Sequence, residues 1–196
     1  MAEKLAERLL GVEEFLEWES KQPFRHELIG GRVIEMTGAS PSHNRINLNL
    51  AFALENRLES RGCEVFAIDI GVLVDLEGTY VYPDVIVVCG EQKFRTGALQ
   101  TTLENPTLLF EILSPTTESF DRNQKYMQYL QIPSLEGYFL VAQDRPRIEA
   151  AIRDGDTWRH RVSSGLEASL AISSLGCELP LSEVYRQVRF EDVEVE

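Results

Sequence analysis

The 196-residue chain predicts an α/β fold in which a mixed β-sheet is flanked by helices and extended by an added C-terminal hairpin. Three observations carry this expectation. A capped helical pattern fills 41–61, and a run of β-branched and aromatic segments fills 64–89. Two short, nearly all-apolar segments, TLLFEIL (107–113) and EGYFLVA (136–142), read as strands buried on both faces. The length fits a single domain over 1–196.

The elements follow in order. Over 12–21, Val12, Phe15, Leu16 and Trp18 lie near one helical face with glutamates between them, and Pro23 ends the pattern. HELIGGRVIEM (26–36) reads as a hairpin, because Gly30-Gly31 supplies the positive φ that a two-residue turn requires. Ser40 is a good N-cap and Pro41 suits the first helical position. The helix they open buries Ile46, Leu50, Ala53, Leu54 and Leu58, and Gly62 stops it. EVFAIDI (64–70), GVLVDL (71–76) and YVYPDVIVVC (80–89) are successive strands, the last two parted by a turn at Glu77-Gly78. Residues 90–106 are polar and irregular. After the 107–113 strand, Ser114-Pro115 breaks the chain, a helix fills about 117–130, and the 136–142 strand follows. RIEAAIRDGDTWRHRVS (147–163) is a hairpin turning at Asp154-Gly155, and Ser182 caps a short helix near the end.

Composition narrows the function classes. Hydrophobic residues make up 43% and charged residues 26%, as in ordinary globular proteins. No apolar stretch reaches membrane-span or signal-peptide character, so a cytoplasmic protein with no membrane partner is expected. Cys63, Cys89 and Cys177 are odd in number and widely spaced, which predicts small buried hydrophobes in a reducing compartment. The net charge of −13 counts against tight non-specific binding to DNA, since phosphate contacts supply most of that affinity.

The residues that carry chemistry are two acids in apolar strands: Asp84, after Pro83, and Glu111, inside TLLFEIL. A buried carboxylate costs several kcal/mol unless it is paired or bound to metal. Either acid alone is best read as paired with an arginine or a backbone N–H; two in neighbouring strands point to a metal site. Mg²⁺ and Mn²⁺ prefer carboxylate oxygen, and such an ion stabilises charge on a scissile phosphate and lowers the pKa of a bound water.

Pro83-Asp84 followed by Glu111-Ile112-Leu113 resembles the PD-(D/E)xK motif of restriction-endonuclease-like nucleases, with Leu113 where that motif has Lys. The continuation SPTTESFDRNQKYMQYLQIPSLEGYFLV resembles the Uma family of restriction-endonuclease-like proteins, long catalogued as a domain of unknown function. There the strand Glu is followed by Leu-Ser-Pro, and the lysine moves to the next helix, so the resemblance gives Lys125 the role of the strand lysine. HELIGGRVIEM is similar to the family's YEL-x-DG hairpin, with His26 in place of Tyr and Gly30 where Asp is usual. Ser42-His43 and the series Asp121, Lys125, Tyr129 match as well. The likeness covers roughly 10–145 and implies a restriction-endonuclease-like mixed sheet.

It also implies a function: metal-dependent hydrolysis of nucleic-acid phosphodiesters, DNA first, by a homodimer. Asp84, Glu111 and the Ile112 carbonyl would hold Mg²⁺ or Mn²⁺, with Lys125 orienting the water. Glu27 and His43 are supporting candidates; an exposed strand glutamate and a capping histidine are their plain readings. Asp121, Lys125 and Tyr129 share a helical face, for which the plain reading is a surface ion pair. Lys125's place on a helix predicts that truncating it leaves the fold intact. The rival function is a catalytically silent binding or regulatory domain on the same scaffold. A third reading, hydrolysis of a small phosphodiester, fits the acidic composition. The 90–106 loop and the tail hairpin are the candidate dimer contacts.

Overall fold

The computed structural model describes residues 9–36, 38–67, 69–75, 78–95, 102–115 and 117–190. Its strands form two six-stranded sheets and one small hairpin sheet. Helix α1 is Val12–Glu19, and β1 (His26–Ile29) and β2 (Arg32–Glu35) form the first hairpin. Gly30 and Gly31 have φ of 55° and 77°, the mirror-image turn that a two-residue hairpin needs. Helix α2, Pro41–Leu58, starts on a Ser40 hydroxyl that accepts the His43 N–H, and its chain leaves through a left-handed Gly62. Ile46, Leu50, Ala53, Leu54 and Leu58 are all buried, as the pattern predicts.

The expected 80–89 strand is two strands. β3 (Cys63–Ala67) and β4 (Gly71–Asp75) precede it; β5 is Thr79–Val81 and β6 is Val85–Cys89. Pro83 has no N–H to give to a ladder, so pairing stops there. The chain passes from the first sheet, ordered β2-β1-β5-β4-β8-β7, to the second, ordered β12-β11-β10-β9-β6-β3. Within the irregular 90–106 segment lie the two-residue strands β7 (Phe94–Arg95) and β8 (Thr102–Leu103); 96–101 fall outside the described residues. The turn expected at Glu77-Gly78 is described only at Gly78, whose N–H donates to the Asp75 carboxylate at 2.8 Å.

β9 (Leu108–Leu113) and β10 (Gly137–Ala142) pair in parallel at the centre of the second sheet, and every residue of both is buried. Strand periodicity splits β9 between two layers. Leu108, Phe110 and Ile112 join the cluster under α2, where Phe110 stacks on Phe139 at 4.3 Å. Leu109 and Leu113 join the opposite cluster with Tyr129 and Tyr138. The segment expected as one helix over 117–130 is α3 (Glu118–Phe120), a π turn over Asp121–Lys125, and α4 (Tyr126–Tyr129).

β11 (Arg147–Asp154) and β12 (Thr157–Ser164) extend the second sheet as the added hairpin. β13 (Ser169–Ile172) and β14 (Cys177–Pro180) pair separately. The last helix, α5 (Leu181–Val184), begins one residue before Ser182, and its N-cap is Pro180 with no side-chain bond. The cysteine expectation is overturned. Cys63 opens β3 and Cys89 closes its antiparallel neighbour β6, so the register sets them opposite each other, and they form a disulfide; Cys177 is free.

Candidate active site

Four backbone elements bring acids and a cation together. Asp84 stands where Pro83 ends the first sheet and the second begins. Its Oδ2 accepts the Ile112 N–H at 2.7 Å, which fixes it beside Glu111. Its Oδ1 lies 3.3 Å from His43 Nε2 in the first turn of α2. Glu111 lies on the β9 face opposite α2, and its Oε1 accepts from the Tyr129 hydroxyl at 2.7 Å and from Lys125 Nζ at 3.1 Å. Glu27, in β1, accepts the Tyr82 N–H beside the proline break at 2.9 Å with one oxygen and lies 2.9 Å from Lys125 Nζ with the other. Asp121 Oδ1 stands 3.5 Å from the same ammonium.

One lysine thus meets three acids, all but sealed from water: Glu27 is 4% exposed, Glu111 4%, Asp121 2% and Lys125 5%. Burial drives the Glu111 carboxyl well above its ordinary pKa; Lys125 opposes this, and Asp121, Asp84 and Glu27 add to it. Asp121 is raised for the same first reason, again against the pull of Lys125. Burial acts to discharge Lys125, but Glu111, Glu27 and Asp121 outweigh it and hold the ammonium well above its usual range. Four carboxylates around one fixed cation leave the cluster short of positive charge. Glu111 is the member that resists ionisation most.

Asp84, Glu111, Glu27, Lys125, Asp121 and His43 all line one cavity of about 500 Å³. Its donors are hard oxygens, the class that suits Mg²⁺ and Mn²⁺. Among the described residues no three His, Cys, Asp or Glu side chains are drawn together as a metal centre, since Lys125 takes up Glu27 and one oxygen of Glu111. The donor chemistry fits an ion that is held by two carboxylates and completes its shell with water or phosphate.

The structure therefore brings every sequence-named candidate to one place, with two changes of environment. Glu27 is buried at the centre, not an exposed strand residue. Lys125 is a buried hub, not half of a surface pair, so the expectation that its truncation spares the fold is withdrawn. Sequence reasoning missed Gln143, which accepts the Ser40 hydroxyl at 2.7 Å on the cavity wall, and Asn47, 5% exposed and lining the cavity with its Oδ1 unpartnered. A polar residue beside Ile46, on the buried side of α2, was the signal for Asn47. Tyr138 was also passed over; its hydroxyl donates to the Asp121 carbonyl at 3.1 Å.

Fold and site together define a protein of the restriction-endonuclease-like class. The chain belongs to the Uma2 family, whose model, described as "Putative restriction endonuclease", matches residues 12–182. Among its relatives is the uncharacterized protein sll1609 of Synechocystis sp. (strain ATCC 27184 / PCC 6803 / Kazusa). It is 36% identical over 149 residues, which is 76% of this chain and 84% of that protein. A second from the same organism, slr1290, is 31% identical over 186 residues, 92% of this chain and 94% of its own. A crystal structure described as a putative nuclease belonging to DUF820, from Anabaena variabilis ATCC 29413, has a TM-score of 0.72 at 17% identity. The match covers 90% of this chain and 97% of that one, and at this identity it establishes the shared fold.

Proposed function

We propose that this protein is a Mg²⁺- or Mn²⁺-dependent endonuclease that hydrolyses phosphodiester bonds of nucleic acid, with DNA the first substrate to test. The observation that carries the reading is the convergence of Asp84, Glu111 and Lys125 on one cavity from three separate elements. Asp84, Glu111 and the Ile112 carbonyl would hold the ion. When bound, the ion supplies Lewis-acid stabilisation of the phosphate and a more acidic water.

The chain's own groups do the rest. The Ile112 N–H fixes the Asp84 carboxylate, and the Tyr129 hydroxyl fixes Glu111. Lys125, kept charged by Glu27 and Asp121, presents an ammonium that orients the attacking water and faces the charge that develops on phosphate. His43 sits against Asp84 at the mouth of α2, where backbone N–H groups favour an anion. Glu27 and Asp121 act through Lys125 by holding its position and charge.

The rival, a silent binding domain, draws on the engagement of Lys125 with three acids and on the net charge of −13. Cleavage of single- and double-stranded DNA and RNA, with Mg²⁺ or Mn²⁺ and after chelation, separates the two. Metal-dependent products that disappear in Glu111→Ala support the nuclease. Equal products from wild type and mutant, or none from wild type on any of these substrates, reject it.

A further inference from the structure

Helix α2 turns its apolar residues to the second sheet and leaves an outward stripe on which Asn44, Arg45, Leu48, Phe52, Glu55 and Asn56 are all exposed. At 100° per residue these six share one face. Its centre is apolar: Leu48 is 62% and Phe52 61% exposed, side by side one turn apart. A globular surface tolerates single exposed apolar residues; here a leucine and a phenylalanine stand together at the middle of an eighteen-residue helix. The stripe's charges are also free to act outward: among the described residues neither Arg45 nor Glu55 has an ion-pair partner.

Reversed, the order along the stripe complements itself. About residue 50, Leu48 mirrors Phe52, Arg45 mirrors Glu55, and Asn44 mirrors Asn56. A second copy laid antiparallel would set leucine level with phenylalanine and arginine level with glutamate, each twice. A partner of unrelated sequence has no reason to match this symmetry, whereas a two-fold interface requires a patch that complements itself.

We propose that the exposed face of α2 is a homodimer interface, with α2 packed antiparallel on α2 about a two-fold axis near residue 50. The contact does not rest on the catalytic reading, although Asn44 at one end of the stripe also lines the cavity. It also differs from the 90–106 loop and the tail hairpin expected from sequence. Leu48 and Phe52 form its dry centre, and two Arg45–Glu55 pairs flank it and fix the register. The net charge of −13 on each copy opposes approach at low salt, so association is measured near 0.15 M salt, where screening reaches about 8 Å. One helix face is small beside standard interfaces, so the measurement uses chain at about 100 µM.

Light scattering and sedimentation of the full chain test this. Wild type is expected at twice its 22.3 kDa mass. Phe52→Asp is expected at the single-chain mass with an unchanged circular dichroism spectrum, because the side chain is exposed. Arg45→Glu and Glu55→Arg should each weaken dimerisation at least tenfold, and the double swap should restore most of it. A wild-type mass of one chain at 100 µM overturns the proposal. So does a dimer that ignores Phe52→Asp, or a double swap no better than either single change.

Discussion

Replacing Lys125 with methionine tests the whole electrostatic account of the cavity. The change keeps length and removes the one ammonium that meets Glu27 at 2.9 Å, Glu111 at 3.1 Å and Asp121 at 3.5 Å. Taking one partner out of a buried ion cluster strands the others, and such losses run to about 3–5 kcal/mol. A chain of this size moves in Tm by about 2–4 °C per kcal/mol, so the variant should melt roughly 6–20 °C lower at pH 8 without metal. The deficit should depend on pH in a defined sense. The folded-state pKa values of Glu111 and Asp121 are raised, so their contribution to stability is full below the unfolded carboxylate range and is lost as pH rises through the raised values. Removing the lysine raises them further. The gap between wild type and Lys125→Met should therefore be small near pH 5 and largest near pH 8. Urea titrations at both pH values read it. A gap below about 1 kcal/mol at pH 8, or one equal at the two pH values, would refute the reasoning.

Glu111→Gln isolates the raised carboxyl: its stability relative to wild type should improve as pH rises from 4.5 to 8, seen in the same titrations. Saturating Mn²⁺ should raise the wild-type Tm by roughly 5–10 °C, from about 2.7 kcal/mol at a hundred times Kd. Asp84→Asn, which keeps an acceptor for the Ile112 N–H, should fold normally and erase most of that shift in a thermal scan. Reducing the Cys63–Cys89 bridge, with a sequence separation of 26, should cost about 3.5 kcal/mol, visible as a lower urea midpoint after dithiothreitol.

The parts of this protein that were legible in its sequence are those set by local rules. Ser40-Pro41 and Gly62 bounded α2, Gly30-Gly31 placed the first turn, and the apolar runs around Glu111 and Phe139 marked the central strands. What escaped depended on partners distant in sequence. Nothing in YVYPDVIVVC says that its halves belong to different sheets, although Pro83 marks the spot. Glu27 reads as an exposed strand residue until Lys125 is packed over it. Lys125 reads as an i,i+4 neighbour of Asp121 until Glu27 and Glu111 arrive from two other strands. The cysteine bridge is a matter of register: 26 positions of separation form no motif, and only the antiparallel pairing of β3 with β6 makes the two ends level.

The π turn has a consequence for how the site fails. Glu27 and Glu111 ride on strands that have neighbours on both sides, while the cation rides with Asp121 on a short helical segment whose bonding departs from the ordinary α pattern. Segments of this kind open on their own, well below the free energy of global unfolding. When 117–130 opens, the ammonium leaves with Asp121, and Glu27, Glu111 and Asp84 are left without it. Amide exchange should then be faster over this segment than over β9, and on gentle warming the chain should lose this ion cluster while its sheets still stand.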